Sequence, residues 1–117
     1  MSYVFDVGGE TVWSPALRVG DLYVRAALNI ADVLGVPSGL TAEAEDLWQI
    51  DIDAFEGLIT AVREVYFTRH HEIQRALLAG VLGPAIVMLD RAGRPIEPRS
   101  TAERDFAAWA RTLSMPR

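Results

Sequence analysis

Phe55, Leu58, Ile59, Val62, Val65 and Tyr66 fall three and four residues apart, and Ile73 and Leu77 continue the same phase. That spacing lays apolar side chains along one face of an α-helix. From Leu77 onward, Leu78, Val81, Leu82, Ile86, Met88 and Leu89 close round the whole circumference. A helix apolar on all sides is buried on more than one of them, in a core or a subunit interface. The pattern predicts a helical spine over 53–90, either unbroken or bent near Thr68-Arg69-His70. Pro84 should kink it, because its ring donates no N–H and clashes with the preceding turn. Asp53 at the N-cap and Glu56 three residues on form a capping box that opens the spine.

The flanking segments supply what packs against it. Tyr3 to Val7 and Glu10 to Trp13 are β-prone runs on either side of Gly8-Gly9, a pair suited to a tight hairpin turn. Ser14-Pro15 reads as an N-cap with proline at the first helical position, opening a helix over 15–34 that Gly35 and Pro37 end. Its stripe is Leu17, Val24, Leu28 and Ala31; Gly20 within it implies close approach of another backbone. Residues 37–46 read as a loop, with Thr41 capping a short turn. Trp48, Ile50 and Ile52 alternate with polar residues, which predicts a third strand over 47–52 pairing with the hairpin. Ser100 to Glu103 is a second capping box, opening a last helix over 101–113.

The expected fold is therefore α+β: a small three-stranded antiparallel sheet, made of the N-terminal hairpin plus a strand near 47–52, packed against about four helices. With 117 residues the chain suits one domain, 1–117. It has no cysteine, which excludes disulfides, thiolate nucleophiles and Cys-bound zinc. All eleven basic residues are Arg, so lysine Schiff-base chemistry is excluded as well. A pI near 4.9 argues against a nucleic-acid backbone as partner. The start lacks the regions of a signal peptide, and the most apolar run, 76–89, is interrupted by Gly80, Gly83 and Pro84. Neither feature points to a membrane, and a cytoplasmic protein is expected.

Charge is distributed unevenly. Glu43, Glu45, Asp46, Asp51, Asp53 and Glu56 form a run with no basic residue, and the rest of the chain sums to plus one, eleven Arg against ten acids. Such a block, threaded by Trp48, is a natural partner-binding surface. From Arg91 onward six Arg face three acids, and this basic tail could fold onto the acidic block of its own chain or of a second copy. His70 and His71 are the only histidines; neighbours on a helix diverge by about 100°, and the i, i+4 metal-pair spacing is absent. No metal or cofactor is expected. On the stripe of the spine His70 falls at the inner edge and His71 points outward. His70 is the candidate acid or base, with Asp51 as second proton carrier and Arg63 and Arg69 as grips for an anionic substrate.

Three stretches, Tyr3-Val4-Phe5-Asp6-Val7-Gly8-Gly9 leading to Val12-Trp13-Ser14-Pro15, Gly35 to Leu40, and Met88 to Gly93, resemble a family of small uncharacterised actinobacterial proteins known as a domain of unknown function. The resemblance spans residues 3–93 and leaves the C-terminal helix outside. It implies a bacterial cytoplasmic protein and no activity. Three functions are consistent with these readings. The preferred one is an interaction protein, homodimeric, with an acidic and aromatic partner surface. The others are a small cofactor-independent isomerase, cyclase or lyase using His70 and Asp51, and an immunity-type protein that blocks a basic toxin.

Overall fold

The computed structural model describes residues 3–117. β1 (Val4–Val7) and β2 (Glu10–Trp13) form the expected antiparallel hairpin. Gly8 and Gly9 sit at φ 57° and 86°, the left-handed pair a two-residue turn requires. Helix α1 (Leu17–Leu34) follows and closes on Gly35, whose N–H returns to the carbonyls of Ala31 and Asp32. Its start corrects the expected cap at Ser14 and Pro15. The Ser14 N–H donates to the Pro116 carbonyl at 2.7 Å and the Pro15 carbonyl accepts from Tyr3 N–H at 2.9 Å. That backbone is held extended by distant segments, so the helix begins two residues later. Gly20 is a site of close approach, but to a side chain and not to the expected backbone: a Cβ there would overlap the Tyr3 ring.

The sheet corrects the three-stranded antiparallel expectation. β3 (Leu40–Ala44) is a strand where a loop and a Thr41-capped turn are predicted, and it pairs antiparallel with β4 (Leu47–Ile50). β4 lies parallel to β1, so the order is β2-β1-β4-β3 and the sheet is four-stranded and mixed. Only Leu40 of β3 is buried. An edge strand with one buried side chain shows no period-two apolar signal, which is why the pattern misses it. β4 also ends at Ile50, short of the predicted 52.

The spine is two helices. α2 (Ile52–Thr68) stops at Arg69, and α3 (Glu72–Arg91) starts afresh after His71, whose imidazole accepts from the Gln74 N–H. The bend at 68–70 is thus a complete break. Pro84, by contrast, sits inside α3 without ending it. Of the described helices α3 alone has the length and composition to cross a bilayer, and half of its most apolar window is buried within the fold. α4 (Thr101–Ala110) ends earlier than the predicted 113 and packs on α3 where Gly83 leaves room for the Trp109 ring.

Phe5, Phe55, Leu58, Ile59, Leu82, Met88 and Leu89 are the largest fully buried side chains and form the core between sheet, α2 and α3. Tyr3, Phe5, Trp13 and Tyr23 stack and abut at 5.2–5.8 Å between ring centroids, joining hairpin to α1. The Tyr23 hydroxyl donates to the Val81 carbonyl of α3 at 2.8 Å. Burial pushes this phenol far above its ordinary value of 10.0, and Tyr3 moves the same way through burial and then the Asp21 carboxylate. A phenol held neutral in the fold but free to ionise when unfolded stabilises fully below that ordinary value and loses its contribution above it. Each pH unit beyond about 10 should therefore cost roughly 1.4 kcal/mol at Tyr23. Urea unfolding at rising alkaline pH should show a shallower decline for Tyr23→Phe than for wild type, and equal slopes would contradict this.

Candidate functional site

The acidic run does not form one surface. Glu43, Glu45 and Asp46 lie at the β3–β4 turn, and Asp51, Asp53 and Glu56 lie at the opposite end of β4, where α2 begins. The second group is largely engaged. Asp51, not Asp53, is the N-cap of α2: its carboxylate accepts from the N–H groups of Asp53 and Ala54 at 3.1 and 3.2 Å. Asp53 and Glu56 receive Arg94 at 2.7 and 3.5 Å. The basic tail thus folds in part onto the acids of its own chain. Glu43 accepts from Gln49, and Trp48 is half-buried, packed against the core.

The residues assigned to proton transfer are separated. Asp51 and His70 flank α2, whose 17 residues at 1.5 Å each put them about 25 Å apart. His70 is exposed in the break between helices, which corrects its placement at an inner edge. Arg69 is the exposed C-cap of α2. Arg63 points elsewhere, to the buried Glu103 at 3.6 Å and the Glu97 carbonyl at 3.3 Å. Glu103 also receives Arg99 and tightens the start of α4. That cluster closes a packing seam between α2 and α4, and the hollow beside it holds only about 10 Å³.

The largest hollow, about 680 Å³, is a polar one in which Asp21 and Arg25 of α1 face Glu45 and Asp46 of the β3–β4 turn; an apolar concave surface lies between α1 and α3. One hollow of about 440 Å³ is lined by Val19, Leu22, Tyr23 and Ala26 from α1, by Leu77, Gly80, Val81 and Pro84 from α3, and by Trp13, Leu113 and Met115 beneath. A second of about 400 Å³ continues it through Ile30, Val33, Val65, Ile73, Leu77 and Leu78. Leu77 is common to both, so the two make one groove along the helix pair. Its rim holds the most exposed large apolar residues described: Leu22 at 68%, Val33 at 83%, Ile73 at 67% and Leu77 at 70%. Contiguous apolar surface of this kind marks an interaction site on a soluble protein.

The α1 half of this face is absent from the sequence reading, which places Leu17 and Leu28 in the core stripe although both are exposed. The buried stripe is Tyr23, Val24, Ala27 and Ala31, set beside Gly20. A second apolar stripe, Val19, Leu22, Ala26 and Val33, shares the helix at steps of three, four and seven residues. That double pattern was the available signal.

The fold is a small α+β unit with an open apolar groove, and its candidate acids, histidines and arginines are not gathered in one cavity. The chain belongs to a family of unknown function, DUF6086, whose model matches residues 1–117. The family unit therefore includes the C-terminal helix, correcting the 3–93 span. No curated protein and no solved structure matches the chain.

Proposed function

We propose that this chain is a non-enzymatic interaction protein that works as a homo-oligomer, docking through the groove between α1 and α3. The observation that carries the reading is the set of large apolar side chains on both walls of one groove, left open to water in the single chain. Burying such a side chain contributes about 1.5–3 kcal/mol, so covering four of them is a sufficient driving force for association. The acidic run takes a secondary part, since Asp51, Asp53 and Glu56 already have partners within the chain. The separation of Asp51 from His70 weighs against the proton-transfer reading.

The two surfaces respond differently to substitution and salt. Leu22→Asp with Leu77→Asp should abolish association by sedimentation velocity while circular dichroism stays native, because both side chains are exposed in the monomer. Glu43→Gln, Glu45→Gln and Asp46→Asn together should leave association intact. Raising the salt to about 1 M, where charges are screened beyond about 3 Å, should not dissolve it. Loss of association in the carboxylate variant alone would move the docking site to the acidic turn.

A further inference from the structure

The two walls of the groove carry matched seams. On α1, Val19, Leu22, Ala26, Asn29 and Val33 follow one another at alternating steps of three and four residues. On α3, Ile73, Leu77, Gly80 and Pro84 do the same. Alternating three-four steps keep a seam facing a partner helix along its length. The hollows show that α1 and α3 run antiparallel: Val19 and Leu22 stand with Gly80 and Pro84, and Val33 stands with Ile73. The midpoint of the α1 seam is Ala26, and that of the α3 seam falls between Leu77 and Gly80. Ala26, Leu77 and Gly80 line the same hollow, so both midpoints lie at one height.

We infer that a second copy of this chain covers the groove, about a two-fold axis passing Ala26 and the Leu77–Gly80 step. The inference rests on the reading of the groove as the docking face. Around that axis α1 meets the partner's α1 antiparallel, and α3 meets the partner's α3. The seam is complementary to itself under this operation, as an isologous interface requires. Val19 comes over the partner's Val33, small Ala26 meets its own copy, and Leu77 comes over the partner's Gly80. Gly80 has no positive φ, and nothing lies within 4 Å of where its Cβ would be. Packing within the chain therefore does not account for a glycine that costs its helix about 1 kcal/mol relative to alanine. A notch for the partner's Leu77 does.

The charges beside the α1 seam agree. Arg18, Arg25 and Asp32 line its outer flank at seven-residue steps. Arg18 lies eight residues to one side of Ala26 and Asp32 six to the other, so the two-fold brings each Arg18 within about two residues, roughly 3 Å along the helix, of the partner's Asp32, twice per dimer. Among the described residues neither forms an ion pair within its own chain. Arg25, closest to the axis and to its own copy, is already paired with Asp21 at 3.0 Å. Complementary pairs of this kind fix register and orientation across an interface.

The chain has no cysteine, so Ala26→Cys introduces a single thiol beside the axis. Air oxidation of the full chain at neutral pH should give a covalent dimer on non-reducing gels, while Leu28→Cys, on another face of α1, should stay monomeric. Arg18→Asp should weaken the dimer about tenfold, and adding Asp32→Arg should restore it. Equal cross-linking at residue 28, or no recovery in the charge-reversed pair, overturns the two-fold. So does failure of Ala26→Cys to cross-link where Leu77→Asp still dissolves an oligomer, and in that case the docking reading survives. A wild-type chain that is monomeric throughout overturns both.

Discussion

Gly39→Ala is expected to remove a large part of the stability of the fold. Gly39 sits at φ 75°, in the left-handed region. A Cβ placed there would lie 2.6 Å from the Phe55 nitrogen and 2.8 Å from the Asp51 carbonyl oxygen, both backbone atoms of the α2 entry. The Gly39 carbonyl also accepts from the Asp51 N–H at 2.7 Å, so the loop cannot move away without breaking the start of the helix. Left-handed strain contributes about 1–2 kcal/mol, and the backbone overlap roughly 1–3 kcal/mol more. The sum is a large part of an ordinary domain's 5–15 kcal/mol. Gly35→Ala isolates the two effects, because Gly35 has φ 69° but open space around the added carbon. In urea unfolding Gly35→Ala should show the strain alone, and an equal loss in both variants would contradict the close approach.

Glu103→Ala should cost about 3 kcal/mol, the magnitude expected when one partner of a buried ion pair is removed. Its carboxylate is 8% exposed and holds Arg63, itself 15% exposed, at 3.6 Å and Arg99 at 3.3 Å. Removing it leaves the Arg63 guanidinium in a closed seam with the Glu97 carbonyl as its other acceptor. Glu64→Ala breaks only the exposed contact to Arg99 and should change stability by less than about 1 kcal/mol. Replacing both buried partners, Arg63→Met with Glu103→Leu, should recover most of the loss. Thermal unfolding of the four proteins checks the series, and no recovery in the double variant would show that the cluster stabilises by more than mutual neutralisation.

These two positions show where the letters were informative. Ser100 and Glu103 are legible as a cap because the bonds are local: Ser100 Oγ accepts from the Glu103 N–H three residues on. The partnership of Glu103 with Arg63 joins elements forty residues apart, and no local spacing encodes it. The hairpin was likewise readable from Gly8-Gly9 and its alternating flanks. β3 was not, because an edge strand with one buried residue has no periodicity to find. The α2–α3 break fell at the bend foreseen at 68–70, but Arg69 to His71 carry no proline or glycine that forces a stop. There His71 caps a new helix, which gives that histidine a structural role, and His70 beside it is exposed. The apolar groove was half legible. The apolar stretch of α3 from Leu78 to Leu89 is core of this chain and not an exposed face, and the exposed Ile73 and Leu77 lie before it. The α1 wall was hidden because its apolar stripe adjoins the one that enters the core.

Arg94 carries a similar lesson for the acidic run. Six carboxylates in sequence read as one surface, yet β4 carries them to two ends of a strand and Arg94 clasps Asp53 and Glu56 from across the fold. Sequence proximity of charges is a statement about the chain, and a docking surface is a statement about the folded exterior.

The mass of the wild-type chain in solution bears most directly on the account. Sedimentation equilibrium over about 1–100 μM, a span that brackets a micromolar Kd, should give twice the 12.9 kDa of one chain at the upper concentrations, and the dimer should persist at high salt. A single 12.9 kDa species over the whole range would mean that the apolar groove stays uncovered by its own kind, and would contradict it.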